Sequence, residues 1–327
     1  MPRVAQATAD REQELEQHRK ELTGYCYRML GSPFEAEDAV QETLLRAWRG
    51  FGEFEGRASV RSWLYRIATN VCVDMARSRA RRATPMDFGP ASAPLAENLN
   101  IPKEVSWLQP IPDSALAEAG DPGDVAVQHE TIRLAFVAAL QHLPPRQRAV
   151  LILFEVLRWS AAEVADLLDT SVASVNSALQ RARATLQARG VSADDTAPVV
   201  DDAHRELLAR YVAAFESYDF DALTRLIRDD ATQSMPPYDM WLSGRDDIFA
   251  WWVGPGSGCR GSRMLPAPAA NGTVAFGQYK PSGKGRGFDP WALQVLEFRD
   301  GRIADITFFL DTRALFPLFG LPPRLED

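Results

Sequence analysis

S-A-A-E-V-A-D-L-L-D-T-S-V-A-S-V-N-S-A-L-Q-R-A-R-A-T-L-Q, residues 160–187, contains two helices and the turn between them. Ser160 and Glu163 have the spacing of a capping box, so a short helix is predicted from Ser160 to Leu168. Asp169-Thr170-Ser171 breaks it, and an amphipathic helix is predicted over 172–187. Val172, Val175, Leu179, Ala182 and Leu186 form its apolar stripe. The opposite face is small and polar at its N-terminal end, with Ser171, Ala173, Ser174, Asn176 and Ser177. Gln180, Arg181 and Arg183 follow, and the stretch 172–187 holds no acidic residue. Short helix, tight turn and polar-faced helix together make a helix-turn-helix pattern. A helix of this kind fits the major groove, reads base edges near its N-terminus and meets phosphates farther along. Alone, it would read equally as the solvated face of any amphipathic helix; the preceding helix and turn favour DNA.

The chain around this basic helix is acidic, with 36 Lys+Arg against 44 Asp+Glu in 327 residues. The charge is distributed in blocks. Residues 57–82 hold seven basic and one acidic residue, residues 83–130 one and eight, and residues 131–193 seven and four. Two cationic blocks that attract phosphate are thus separated by an anionic one. No apolar run is long enough to span a bilayer, and Met1–Lys20 lacks the apolar core of a signal peptide. Cys26, Cys72 and Cys259 are few and scattered, which fits a reducing cytoplasm. Four separated histidines offer no metal site, and no cofactor motif occurs. The length predicts several domains.

Upstream, residues 12–82 read as helices. Leu15, Leu22, Tyr25, Cys26, Met29 and Leu30 keep a helical period until Gly31-Ser32-Pro33 ends it. A second helix, about 34–48, places Ala36, Val40, Leu44, Ala47 and Trp48 on one face. G-F-G-E-F-E-G (50–56) reads as a loop, and a third helix starts after Ser59, its N-cap. Arginines at 57, 61, 66, 77, 79, 81 and 82 interleave with Phe51, Phe54, Trp63 and Tyr65. Arginine binds phosphate and rings stack on exposed bases, a combination suited to single-stranded DNA. Trp63 and Tyr65 could equally be core, and Trp63 reads better so, since it shares a face with Ile67 and Asn70; Phe51 and Phe54 remain as loop aromatics. Residues 83–130 read as an acidic linker with one apolar patch, V-S-W-L-Q-P-I-P-D (105–113). Trp107, Leu108 and Ile111 need a groove, for which the protein's own C-terminal domain is one candidate.

Y-R-M-L-G-S-P-F-E-A-E-D-A-V-Q-E-T-L-L-R-A-W (27–48) and R-S-W-L-Y-R-I-A-T-N-V-C-V-D (61–74) resemble region two of sigma-70-family factors of the extracytoplasmic-function group. L-P-P-R-Q-R-A-V-L (143–151), W-S-A-A-E-V-A-D-L-L and S-V-N-S-A-L-Q-R-A-R resemble region four. The resemblance implies a promoter-specificity subunit of RNA polymerase, not an enzyme: region two at residues 10–82, an acidic linker at 83–130 and region four at 131–190. It implies that Asp38, Gln41, Glu42, Leu45 and Arg46 meet the polymerase clamp. Phe54, Arg57, Ser59, Arg61, Arg66 and Asn70 would take the −10 element, capturing a flipped base. Region four, through Ser171, Ala173, Ser174, Asn176, Ser177, Gln180, Arg181 and Arg183, would take the −35 element and also touch the polymerase flap. The acidic linker would run through basic polymerase channels. Where many members of the group carry a basic residue, this chain has Asn176 or Ala178, so promoter preference does not transfer.

Residues 203–327 are of another kind. Two helices precede strand-like runs A-T-Q-S-M, G-T-V-A-F-G-Q-Y, W-A-L-Q-V-L-E-F and I-A-D-I-T-F-F-L, the last two joined by Arg299-Asp300-Gly301-Arg302, a hairpin signal. This predicts an α+β domain with a curved antiparallel sheet. L-L-A-R-Y-V-A-A-F-E-S-Y, M-P-P-Y-D-M-W-L-S-G-R-D-D-I and I-T-F-F-L-D-T-R-A-L-F-P-L-F-G-L-P resemble the SnoaL-like cone. The fold class is therefore multidomain: two all-α sigma domains followed by an α+β SnoaL-like cone. The resemblance implies that the tail sets the factor's activity, with intramolecular contact to the sigma domains or the linker. Tyr238, Trp241, Trp252, Trp291 and Asp311 are candidates to line a pocket, with Asp239 and Asp247 as further possible bases; His204 lies near the linker, away from these. Two other readings are a stand-alone helix-turn-helix regulator, which leaves 38–48 and the linker unexplained, and a SnoaL-type enzyme with a DNA-binding appendage.

Overall fold

The computed structural model describes residues 11–56, 58–78, 81–116, 131–189, 202–283 and 285–326. The chain divides into two compact units. One comprises residues 1–82 and 108–196, the other residues 83–107 and 197–327.

In the first unit, α1 (Arg19–Leu30), α2 (Pro33–Gly50) and α3 (Val60–Arg77) form a bundle. Ser32 caps α2, with Pro33 at its first position, where a missing N–H costs nothing. Ser59 caps α3 as expected. Leu22, Tyr25, Met29, Ala36, Val40, Leu64, Ala68 and Cys72 fill the interior. Trp48, expected on the buried face of α2, is 36% exposed. The periodicity placed it among the apolar positions, but Ala47 already fills that edge of the bundle.

The helix-turn-helix segment consists of α4 (Leu134–Leu140), α5 (Pro145–Leu151), α6 (Ala161–Leu167) and α7 (Val172–Gln187). The Ser160–Glu163 capping box is present. Asp169 turns the chain at φ 51°, and Ser171 caps α7. Val172 departs from the expected stripe. It sits in the first turn, exposed, while Ala178 is buried in line with Val175, Leu179, Ala182 and Leu186.

The bundle and this segment are joined by two buried arginines. Arg148 donates to the carbonyls of Met29, Gln141 (3.0 Å) and Leu143 (3.1 Å) and to Gln141 Oε1 (2.7 Å). Arg28 donates to Gly24 O (3.0 Å), Thr131 O (3.1 Å) and Thr131 Oγ1 (3.0 Å). Desolvation pulls both guanidinium groups down to about 10, still well above neutrality. Both therefore remain charged: Arg148 collects a carbonyl at the end of α1 and two after α4, and Arg28 ties Thr131 to the middle of α1. Gly31, left-handed at φ 70°, ends α1. A Cβ there would lie 3.0 Å from Leu108 and 3.2 Å from Gln141, so glycine is what allows these groups to converge.

The acidic stretch after Arg82 is partitioned between the units. Residues 83–107 form a strap in the second unit. Ala83 N donates to Ser106 O at 2.9 Å and Ala83 bridges to Trp107, so the two ends of the strap are closed against each other. Between them, Ser92 N donates to Trp241 O (2.8 Å), Trp241 Nε1 to Gly89 O (3.0 Å) and Asp239 N to Asn100 O (3.0 Å). Leu99 packs on the domain core. Of the apolar patch, Trp107 packs on Phe88 within the strap at 5.4 Å. Leu108 and Ile111 instead are buried in the helical unit, where Gln109 N meets Gly31 O and Tyr27 Oη meets Gln109 O (2.8 Å). Residues 117–130 lie outside the described residues.

The second unit contains α8 (Asp202–Ser217), α9 (Phe220–Leu226), α10 (Arg245–Val253) and α11 (Thr312–Leu318). Its six-stranded sheet comprises β1 (Ile227–Ser234), β2 (Trp241–Ser243), β3 (Arg263–Ala270), β4 (Thr273–Pro281), β5 (Phe288–Arg299) and β6 (Arg302–Phe309). The order is β2-β1-β6-β5-β4-β3. The expected antiparallel sheet is in fact mixed, because β1 runs parallel to β6. The β5–β6 hairpin turns at Asp300-Gly301, both at positive φ, as its sequence predicted. A second such turn at Asn271-Gly272 joins β3 to β4. β3 has no strand-like pattern because Pro266 and Pro268 interrupt it, and it occupies the sheet edge, where a missing donor is tolerated.

Replacing Arg148 by Met leaves four acceptors at the seam without their donor. At about 1–3 kcal/mol for each buried polar group left unpaired, partly relieved by water, the loss should be on the order of 3–5 kcal/mol. Thermal and urea unfolding of the Arg148→Met variant measure it, and a loss below about 1 kcal/mol contradicts this account of the seam.

Candidate nucleic-acid interface

On α2, Asp38, Gln41, Leu45 and Arg46 are exposed and Glu42 is half-buried. Arg46 Nε bonds Glu42 Oε1 at 2.6 Å and Gln41 bonds Glu37 at 3.1 Å, so these charges are held in i, i+4 pairs. Phe34, Leu45 and Trp48 are exposed on the same helix. Phe34 and Trp48 belong to this surface, and periodicity gave no sign of it because it counts every apolar residue as core.

The residues expected to meet single-stranded DNA lie on α3 and the loop before it. Phe54 is half-buried, its ring stacked on Trp63 at 4.8 Å, with Phe51 at 6.0 Å from Trp63. The two loop phenylalanines therefore share one aromatic cluster with the half-buried Trp63 rather than standing alone. Ser59 Oγ accepts from Ser62 N and is committed to capping. Asn70 and Arg66 are exposed, and Arg61 is half-buried. Arg57 and Arg79 lie outside the described residues. Tyr65 is fully buried, in edge contact with Tyr25.

Arg61 and Arg66 reach the helix-turn-helix segment. Arg61 Nε bonds Glu21 Oε2 at 2.8 Å, and its guanidinium lies 5.1 Å from the Tyr65 ring and 5.6 Å from the Trp159 ring. Arg66 Nη2 bonds Asp166 O at 2.8 Å and Asp166 Oδ2 at 3.3 Å.

On α7, Ser171, Ala173, Ser174, Asn176, Ser177, Gln180, Arg181 and Arg183 are all exposed along one face. Ser171 Oγ accepts from Ser174 N. Arg183 differs from Arg181: its Nε bonds Glu155 Oε1 at 2.8 Å, and its guanidinium lies 5.9 Å from the Phe154 ring. It is oriented by α7's neighbour, a partnership that the helix's own sequence does not contain.

Three of the five pocket candidates of the second unit, Tyr238, Trp252 and Trp291, share its core cluster, while Trp241 and Asp311 are engaged elsewhere. Trp252 is buried and bonds Gln233 Oε1 at 2.7 Å. Tyr238 packs against the core, and Trp241 bonds the strap. Trp291 lies beneath Lys280 Nζ, 3.0 Å from the ring centroid, and Asp311 caps α11. A chain of hydrogen bonds also runs through the core, Tyr211 to Gln294 (2.9 Å), Gln294 to Gln278 (3.0 Å) and Gln278 to Ser262 (2.9 Å). The Asp305 carboxyl is pushed up to about 6 by burial and by Glu297 across the strand pair. Thr232 and Thr307 bond it on the sheet face opposite the core residues Ile306 and Phe308. No group of three or more His, Cys, Asp or Glu among the described residues is placed to hold a metal ion, and no described helix is long and apolar enough to cross a membrane.

Comparisons with known proteins follow this division. The family profile Sigma-70 region 2 matches residues 15–82, Sigma-70, region 4 matches 133–186, and SnoaL-like domain matches 208–306. The chain is 45% identical to the ECF RNA polymerase sigma factor SigG of Mycobacterium tuberculosis over 317 residues, 95% of this chain and 83% of that protein. It is 31% identical to SigJ of the same organism over 221 residues, 67% of this chain and 62% of that one. The crystal structure of Mycobacterium tuberculosis SigJ superposes over 98% of this chain and 100% of its own, with TM-score 0.60 at 22% identity, a likeness of fold.

Asp305 provides a pH test of the second unit. Its carboxyl is raised in the folded state, so its contribution to stability is greatest below about pH 4 and is lost as pH rises through about 6. Asp305→Asn keeps an acceptor for Thr232 without the buried charge. At pH 8 it should stabilise the protein by about 1–2 kcal/mol after allowing for partial exposure, and by much less at pH 4. Unfolding at the two pH values measures this; equal effects at both contradict the assignment.

Proposed function

We infer that this chain, which belongs to the extracytoplasmic-function (ECF) group of RNA polymerase sigma factors, binds core polymerase and directs initiation at −10 and −35 promoter elements. The observation that carries the assignment of DNA roles is the uninterrupted exposed face of α7, small and polar at its N-terminal end and cationic farther along. That is the form required to enter a major groove and read base edges, with Arg181 and Arg183 on backbone phosphate. The exposed side of α2, with Asp38, Gln41, Leu45, Arg46, Phe34 and Trp48, is the surface for the polymerase clamp. Its charges confer orientation and its apolar groups affinity. Phe54, Arg57, Ser59, Arg61, Arg66 and Asn70 take the −10 strand, with the Phe54–Trp63 stack as a platform for an unstacked base. Region four also meets the flap.

The SnoaL-like domain acts on this machinery through the strap. Residues 83–107 are 25 residues held on the domain, with their ends pinned together by the Ala83–Ser106 bond. Released, they would add roughly 80 Å of reach to the connection between regions two and four. Held, they add almost none. Once the Arg148 seam has parted, the domain thus sets how far apart the two DNA-reading modules can stand, and the acidic charge of residues 83–130 disfavours DNA along this connector. This role needs no turnover. The buried Tyr211, Gln294 and Gln278 spend their polar groups on one another as a core network, which disfavours the SnoaL-type enzyme reading.

Runoff transcription with core polymerase tests both claims. Full-length protein should give promoter-dependent product, and deletion of 203–327 should change its yield several-fold. An unchanged yield would falsify the regulatory role; no product from either form removes the sigma reading.

Arg181→Ala should weaken promoter binding about equally across −35 variants, because a phosphate contact positions without specifying. If the loss is confined to particular −35 sequences, Arg181 reads a base.

A further inference from the structure

We propose that the Trp159–Asp166 edge of region four is a docking surface for the −10-reading face of α3, and that it withholds Arg61 and Arg66 from single-stranded DNA in the free factor. The inference rests on the −10 role assigned above to those two arginines.

Both arginines are occupied in the manner nucleic acid would occupy them. Arg61 stacks near two rings, Tyr65 of its own helix and Trp159 of the other module, as a guanidinium stacks on a base. Tyr65 and Trp159 are themselves in edge contact, with centroids 5.3 Å apart, so three groups form one stack across the seam. Arg66 meets one carbonyl oxygen and one carboxylate oxygen of Asp166, which stand where two phosphate oxygens would. Glu21 anchors Arg61 from the bundle side, and Asp166 draws Arg66 toward region four. A base or phosphate must displace Trp159 or Asp166 to reach either side chain.

The contact is built to open. Asp166 and Arg66 are largely exposed, so their ion pair is weak and screened by salt. Trp159 is 9% exposed, and its indole Nε1 finds no hydrogen-bond partner among the described residues. Closure therefore leaves a donor unsatisfied, and opening returns it to water. An apolar ring buried with its polar end unpaired suits a temporary seat better than a permanent core position.

The apparent DNA affinity of a closed factor is its intrinsic affinity multiplied by the open fraction. A cation–π stack and one exposed ion pair bias that fraction by about 5- to 30-fold. The test measures anisotropy of a fluorescein-labelled, short, random-sequence single-stranded DNA with free full-length protein. Trp159→Leu keeps apolar bulk but removes the ring, and Trp159→Ala and Asp166→Ala are compared with it. The expected result is tighter binding by about 5- to 30-fold in the tryptophan variants, a smaller gain in Asp166→Ala, and no gain when Arg61→Ala and Arg66→Ala are added. Unchanged affinity in Trp159→Leu that unfolds at the wild-type temperature overturns the proposal. So does a gain that survives removal of both arginines. Co-purification of each variant with core polymerase is scored in parallel. Its failure in every form would remove the sigma reading while leaving the docking contact standing.

Discussion

The helical unit depends on a buried charge, that of Arg148, whose hydrogen-bond partners among the described residues are neutral. Arg148 and Arg28 are buried at the end of α1 and bond carbonyl oxygens, a Gln amide and a Thr hydroxyl. Taking a cation out of water is costly, and the lowered proton affinity of both groups expresses that desolvation. What they return is convergence. The end of a helix leaves carbonyls unpaired, the connection after Leu140 leaves more, and a guanidinium can collect several at once. The bundle and the helix-turn-helix segment meet where those carbonyls point, and Gly31 removes the atom that would keep them apart.

From that seam follows the orientation of the rest of the helical unit. With α4 and α5 fixed on α1, the edge carrying Trp159 and Asp166 falls against α3, and α7 keeps its polar face exposed. The two cationic surfaces thus differ in the free chain. The α7 surface is accessible and the α3 surface is engaged. An acidic chain with local basic faces limits indiscriminate adhesion to nucleic acid, since the long-range field is repulsive and only an aligned, exposed face is attractive. The strap adds a second constraint, because a connector with pinned ends behaves as a much shorter one.

Much of this was legible in the order of residues. The capping box at Ser160, the cap at Ser171, the break at Gly31-Ser32-Pro33 and the Asp300-Gly301 turn are short-range devices, and the structure contains each of them. They are legible because donor, acceptor and backbone angle all lie within four residues. What spacing did not reveal involves partners distant in sequence. Val172 and Trp48 have apolar side chains at helical spacing, yet whether such a side chain is buried depends on whether another element covers it. Phe54 looked like a lone loop aromatic until Trp63, nine residues on, came beneath it. Arg183 looked like a simple phosphate ligand until Glu155 and Phe154 took hold of it.

The sequence by itself determined the helix-turn-helix, the three-helix bundle, the α+β character of the tail and the family to which the chain belongs, because periodicity, caps and turn residues act locally and motifs preserve their order. Tertiary structure alone decided that β1 pairs parallel with β6, that the acidic stretch is divided between two units, and that Arg61 and Arg66 are already in use. Each of those outcomes is a competition among distant groups for one contact. It is settled by which surfaces can be brought within a few ångströms, and spacing along a chain does not encode that.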